Sequence, residues 1–158
     1  MSSSTLVSEL AAALLSRGAQ MATAESCTGG LIAGACTDVA GSSNWFERGF
    51  VSYSNRAKTE MLGVDAALIE AHGAVSEAVA LAMARGAVQH SAAQCSLAVT
   101  GVAGPGGGSP DKPVGTVWFG WCVEGRAEAE CVRFEGDRGA VREATVEHAL
   151  GGLLLRLE

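Results

Sequence analysis

Ala22-Thr-Ala-Glu-Ser-Cys-Thr-Gly-Gly30 is the stretch on which the fold turns. The apolar run from Gln20 to Ala24 has the length of a strand. Leu31 to Ala40 has the composition of a helix. Ser26 lies between them, followed by Gly29 and Gly30. A hydroxyl at a strand-to-helix turn sits where unpaired backbone N–H groups and the positive helix end converge. Such a field favours a bound anion, or an oxyanion that forms during reaction. The two glycines let the backbone come close to a ligand. Ser26 is therefore either a nucleophile or a helix N-cap, a role serine fills well.

On the N-terminal side, residues 4–17 put Leu6, Leu10, Ala13 and Leu14 on one face at helical period, and Gly18 can end that helix. On the C-terminal side the helix is expected over 28–39, then a turn at Gly41–Asn44 and a strand from Trp45 to Ser52. Asn55 can cap a short helix to about Leu62, and Asp65 another to about Ala71, stopped by Gly73. Ser76-Glu77 opens a longer helix to about His90, with Ala80, Met83, Ala84 and Val88 inward. Cys95 to Thr100 reads as a short central strand. Gly115 to Val123 and Ala127 to Phe134 read as strands joined by Glu124-Gly125, a hairpin signal. Asp137 can cap a last helix, about 138–155, that buries Val141, Leu150, Leu153 and Leu154. Helices and strands that interleave, with a late hairpin, imply an α/β fold. The expectation is a three-layer α/β/α sandwich around a mixed, mostly parallel sheet with an antiparallel hairpin. With no repeat and no linker-like stretch, residues 1–158 are expected to form one domain.

The balance of 11 Lys and Arg against 17 Asp and Glu gives a net charge of −6, with no basic tract. Nucleic acid and anionic membrane are thereby disfavoured as main partners. The N-terminus has neither the basic nor the apolar region of a signal peptide. No apolar run nears the ~20 residues that span a bilayer. Cysteines 27, 36, 95, 122 and 131 are odd in number and contain no C-x-x-C pair, which fits reduced thiols in a cytoplasmic protein. His72, His90 and His148 share no ligand spacing, so no metal site is expected.

A serine nucleophile needs a group to take its proton. No histidine stands in a suggestive context. Tyr53-Ser-Asn-Arg-Ala-Lys58 is the better source, with Tyr53 ending a strand and Lys58 one turn into the next helix. Serine paired with neutral lysine is a variant of the triad logic. At a reference pKa of ~10.4, only about one lysine in 2,500 is neutral at pH 7. Lowering that pKa to about 7–8 takes roughly 3–5 kcal/mol of desolvation or nearby positive charge, from Arg56 or a cationic substrate. Tyr53 can relay the proton or hold Lys58 in place. The plainer reading is an exposed lysine and a core tyrosine. Cys27, next to Ser26, offers a thiol alternative.

The loop from Gly101 to Pro113 contains G-x-x-G-x-G-G-G and follows a strand, but it leads into another strand rather than a helix. It therefore fails the context of a dinucleotide fingerprint. A backbone nest for an anion or ring remains, as does a flexible loop. Arg138 and Arg142 are i, i+4 near a helix start. They either clamp a phosphate or lie on a solvated face.

Five blocks together resemble a known family: AESCTGG (24–30), GSSNWFERGFVSYSNRAK (41–58), HGAVSE (72–77), TGVAGPGGGSPDKPVGTVWF (100–119) and GDRGAVR (136–142). They are similar to the nicotinamide-nucleotide amidohydrolases and to the C-terminal domain of the CinA competence/damage-inducible proteins. The larger CinA proteins carry a further N-terminal domain, so this chain resembles the stand-alone form. The resemblance implies hydrolysis of the carboxamide of nicotinamide mononucleotide to nicotinate mononucleotide and ammonia. It also implies pyridine-nucleotide salvage in the cytoplasm, no metal, no cofactor and a homodimer. On this resemblance Ser26 is the nucleophile, Lys58 the general base and Tyr53 the tyrosine beside it. Thr100 is the hydroxyl before the glycine loop, whose Gly101 and Gly104 approach substrate, and Arg138 and Arg142 are the substrate-binding arginines. The oxyanion would sit by the N–H groups of Cys27, Thr28 and Gly29. The competing function is a non-catalytic nucleotide-binding or protein-interaction module of the CinA type.

Overall fold

A computed structural model describes residues 1–158. Helix α1 (Ser3–Arg17) is capped by the Ser2 hydroxyl and ends at Gly18, whose φ of +61° suits glycine. Strand β1 (Met21–Glu25) follows and is buried along its whole length. Helix α2 (Leu31–Thr37) is shorter than the expected 28–39. The reason is local: Gly29 and Gly30 both hold positive φ, at +57° and +105°, and no right-handed helix runs through such a pair. A 3₁₀ turn (Ser42–Asn44) leads to strand β2 (Phe46–Val51). Helix α3 (Asn55–Leu62) takes its cap from Ser54, whose hydroxyl accepts from the Ala57 amide, so Asn55 is the first helical residue rather than the cap. Helices α4 (Ala66–His72) and α5 (Glu77–Gln89) are capped by Asp65 and Ser76. Strand β3 (Cys95–Gly101) precedes the glycine loop. Strands β4 (Thr116–Val123) and β5 (Arg126–Arg133) are joined by Glu124 and Gly125, both at positive φ, as a two-residue hairpin turn requires. Asp137 caps α6 (Arg138–Arg156).

The five strands form one mixed sheet in the order β2-β1-β3-β4-β5. β1 runs parallel to both β2 and β3, while β3/β4 and β4/β5 are antiparallel. Half of the pairings are thus parallel. After β1 the chain moves to one side to make β2, then to the other to make β3. That reversal opens a crevice beyond the carboxyl ends of the strands, where open α/β sheets bind ligands. Ser26, Tyr53 and the glycine loop all follow these ends.

Helices cover both faces, giving three layers. Leu6, Leu10 and Leu14 of α1 and Val141, Leu150 and Leu153 of α6 pack with Met21, Leu97, Phe119 and Trp121. On the other face Leu62 of α3, Ile69 of α4 and Met83 and Ala84 of α5 pack with Ala22, Ala24 and Ala98. Cys27, Cys36, Cys95 and Cys122 are buried and Cys131 is exposed, all as free thiols. No helix is long and apolar enough to cross a membrane.

Candidate active site

Side chains alternate across a strand, so neighbours at its end face opposite layers. At the end of β1 this sends Glu25 toward α2 and Ser26 toward α3. The buried Glu25 carboxylate accepts from Thr28 Oγ1 at 2.5 Å, the Ile32 amide at 2.8 Å and the Ala33 amide at 2.9 Å. It does the work of the side-chain cap that Gly30 lacks. The first amides of α2 are therefore spent on Glu25, and the helix end that the sequence reading aimed at an anion is already neutralised. Ser26 is not a cap either.

Lys58 Nζ stands 3.0 Å from Ser26 Oγ and 3.0 Å from the Tyr53 carbonyl oxygen. Ser26 Oγ is 3.3 Å from the same carbonyl. Lys58 has 1% of its surface exposed, and no carboxylate pairs with it. Burial pushes its amine below the ordinary lysine pKa, with a weaker opposing pull from Cys27. Tyr53 is 60% exposed. This inverts the plainer expectation of an exposed lysine and a core tyrosine. Tyr53 meets the pair through its backbone oxygen and lines the cavity beside them, and its phenol makes no hydrogen bond to Lys58. Arg56 does not bear on Lys58 through a bond; it points out and pairs with Glu60.

A cavity of about 290 Å³ opens over this pair, lined by Ser26, Cys27, Tyr53, Lys58, Thr100, Gly101, Gly104 and Arg138 among others. Thr100 donates its hydroxyl to the Ala74 carbonyl at 3.0 Å, tying β3 to the turn before α5. Arg138 donates Nη1 to the Gly104 carbonyl at 2.8 Å, so α6 anchors the glycine loop while its remaining N–H groups stay available. Arg142, one turn on, does not line the cavity. Its Nε and Nη2 donate to the carbonyls of Cys27 and Thr28 at 3.1 and 3.2 Å. Thr28 and Gly29 also lie outside the lining, and the Gly29 amide is taken by the Ser26 carbonyl at 3.1 Å. The amides of Cys27 and Thr28 donate to no protein group.

Burial drives the Cys27 thiol up to about 11, so it carries almost no thiolate at neutral pH. Asn55, Ala74, Val75, Val102, Ala103, Gly106 and Gly107 complete the lining and lie outside the site residues expected from sequence. The HGAVSE block was the signal for Ala74 and Val75. Its Gly73, at φ +78°, and the Ser76 cap fix the turn that carries them. No group of three or more His, Cys, Asp or Glu side chains is placed to hold a metal ion.

With this geometry in view, the model of the CinA C-terminal domain matches residues 3–157. The chain is 55% identical to a nicotinamide-nucleotide amidohydrolase PncC of Pseudomonas putida, over 95% of this chain and 94% of that protein. It is 51% identical to the protein of the same name from Escherichia coli strain K12, over 92% of this chain and 88% of that one. A crystal structure described as competence damage-inducible protein A (ComA) from Klebsiella pneumoniae superposes with a TM-score of 0.96. It is 39% identical and covers 99% of this chain and 98% of that one.

Proposed function

The chain belongs to the CinA C-terminal domain family, and we propose that it is a nicotinamide-nucleotide amidase acting through Ser26 and Lys58. The substrate is nicotinamide mononucleotide, and the products are nicotinate mononucleotide and ammonia. Residues 1–158 act as one catalytic domain. The observation that carries the reading is the 3.0 Å approach of a buried, unpaired lysine to the Ser26 hydroxyl. The names of the amidohydrolase relatives supply the substrate class.

Neutral Lys58 takes the Ser26 proton as Oγ adds to the carboxamide carbon. The Tyr53 carbonyl holds the ammonium that results. The amides of Cys27 and Thr28, unpaired in the protein, are the donors for the tetrahedral oxyanion. Lys58 returns the proton to the departing nitrogen, and ammonia leaves a seryl ester. Water then adds to the ester carbon, with Lys58 again as base. Collapse frees the carboxylate and restores the Ser26 hydroxyl. The substrate's pyridinium discourages a second positive charge and so keeps Lys58 neutral until attack. Arg138 and the glycine loop take the phosphate, the one strongly anionic group that an acidic protein must meet locally.

Ammonia release from nicotinamide mononucleotide is the test. Turnover in the unmutated protein, lost in Ser26→Ala and Lys58→Met with thermal melts retained, supports the reading. Turnover retained in Ser26→Ala excludes the seryl ester. Binding without turnover in the unmutated protein favours a nucleotide-binding module.

A further inference from the structure

The turn after Ser26 is gripped from two sides. Glu25 holds it from within, through the Thr28 hydroxyl and the first amides of α2. Arg142 reaches across from α6 and bridges two successive carbonyls, those of Cys27 and Thr28. A planar guanidinium suits that task because its N–H groups are fixed relative to one another. We propose that Arg142 is a positioning residue: by holding the Cys27 and Thr28 carbonyls it fixes the turn that sets the Cys27 N–H beside the reacting carboxamide, and it does not bind the substrate phosphate. The inference rests on the hydrolytic reading above and assigns one of its parts.

Cys27 lines the cavity over Ser26 and Lys58. Arg142 lies in a separate groove with Leu31 and Ala35 of α2 and Val146 of α6. From there it reaches the turn only through the Cys27 and Thr28 carbonyls. The Cys27 N–H has no backbone or side-chain acceptor outside its own residue, whereas that of Gly29 is consumed by the Ser26 carbonyl. Gly29 and Gly30, both at positive φ, leave the turn free to rearrange once the guanidinium is gone. Arg138, one helical turn earlier, does face the cavity. The two arginines that sequence spacing grouped as one clamp thus divide between ligand and backbone.

Arg142→Lys and Arg142→Met are compared with Arg138→Ala for kcat and KM on nicotinamide mononucleotide, for inhibition by inorganic phosphate, and for the rate at which a fluorophosphonate labels Ser26. A positioning role predicts that both Arg142 variants lose kcat by about 10²–10³-fold, the cost of one oxyanion donor, with KM and phosphate inhibition unchanged. Lysine should serve no better than methionine, because one ammonium cannot bridge two carbonyls in a fixed fork. The pH at which activity half-rises should stay in place, since Lys58 is untouched. A raised KM with kcat retained, or recovery by lysine, overturns the proposal and returns Arg142 to the phosphate. Thermal melts identify folded variants, and if the methionine variant does not fold the lysine variant decides alone. If the unmutated protein releases no ammonia, the amidase reading fails separately. Slowed labelling of Ser26 in the Arg142 variants then still supports the clamp, and unchanged labelling sinks it.

Discussion

Toward α1, α2 and α6 the sheet presents Met21, Leu97, Val99, Val117, Phe119 and Trp121; toward α3, α4 and α5 it presents Ala22, Ala24, Ala98, Gly120 and Cys122. On the first face bulk fills the space. Phe119 and Trp121 stack with centroids 5.7 Å apart, Trp121 donates Nε1 to the Ala149 carbonyl at 3.0 Å, and the Arg156 guanidinium lies 3.9 Å over the indole. On the second face smallness brings helices close. A methyl at Gly120 would overlap the Ala80 carbonyl of α5, and one at Gly86 would overlap the Leu62 carbonyl at the end of α3. That closeness carries α3, and Lys58 with it, up to the end of β1. Volume sustains the fold on one face, and proximity sets the chemistry on the other.

The comparison breaks first at Lys58. Lys58→Met keeps most of the side chain's length and removes the amine. We expect kcat/KM for ammonia release to fall by roughly 10³-fold or more, as when a nucleophile loses its base. Thermal stability should hold or rise, because an unpaired buried amine gives way to an apolar chain. A large loss of stability would mean that the small-residue face also bears the fold.

Trp121→Ala tests the other face. It empties a large, fully buried side chain and should cost about 3–5 kcal/mol in urea unfolding. The molecules that remain folded should keep their kcat, since no atom of Trp121 lines the cavity over Ser26. A proportionate loss of kcat would join the two faces that the packing separates.

The difference between the faces also explains what could be read without coordinates. Element order was legible because glycine, Ser, Asp and apolar periodicity act locally. Gly18, Asp65, Ser76 and Asp137 stand at the helix ends where the sequence puts them. The α2 start was misplaced because it depends on two consecutive left-handed glycines, which composition does not reveal. Ser26 and Lys58 were legible as chemistry, but not their separation, since 32 positions of chain lie between them. The Tyr53 carbonyl was not legible, because any residue at that position offers the same backbone oxygen to Lys58 and Ser26. Arg138 and Arg142 looked equivalent because an i, i+4 pair shares a helix face. One turn of rise along α6 is enough to move the second from the cavity to the turn beneath it.

A subtler probe adds one methyl where the small-residue face is tightest. Gly86→Ala sets a Cβ against the Leu62 carbonyl, which is backbone and cannot swing aside. Overpacking of this kind costs typically 1–3 kcal/mol. Because the displaced carbonyl ends the helix that carries Lys58, kcat should fall too, by about 10²-fold for a shift near 1 Å. Stability lost with kcat intact would show that α3 holds its place without α5.

The finest test follows the Lys58 proton. Burial holds its amine below the ordinary lysine value in the folded protein, while in the unfolded chain it returns to about 10.4. Between those two values the unfolded chain binds the proton and the folded protein does not. Unfolding then takes up a proton, so stability rises with pH across the window, by at most roughly 1.4 kcal/mol per pH unit. Above about 10.4 neither state is charged at this site and the penalty is gone. Below the folded value the protein holds a buried ammonium and bears the penalty in full. Activity should climb through the same folded value as the base becomes neutral. Urea unfolding of the unmutated protein and of Lys58→Met, at a series of pH values, isolates this contribution as the difference between them. That difference should move in favour of the unmutated protein as pH rises, whereas the corresponding difference for Trp121→Ala should stay flat. A flat difference for Lys58→Met would mean that the amine keeps its proton in the folded state, and the lysine would then have no lone pair with which to take the serine's proton.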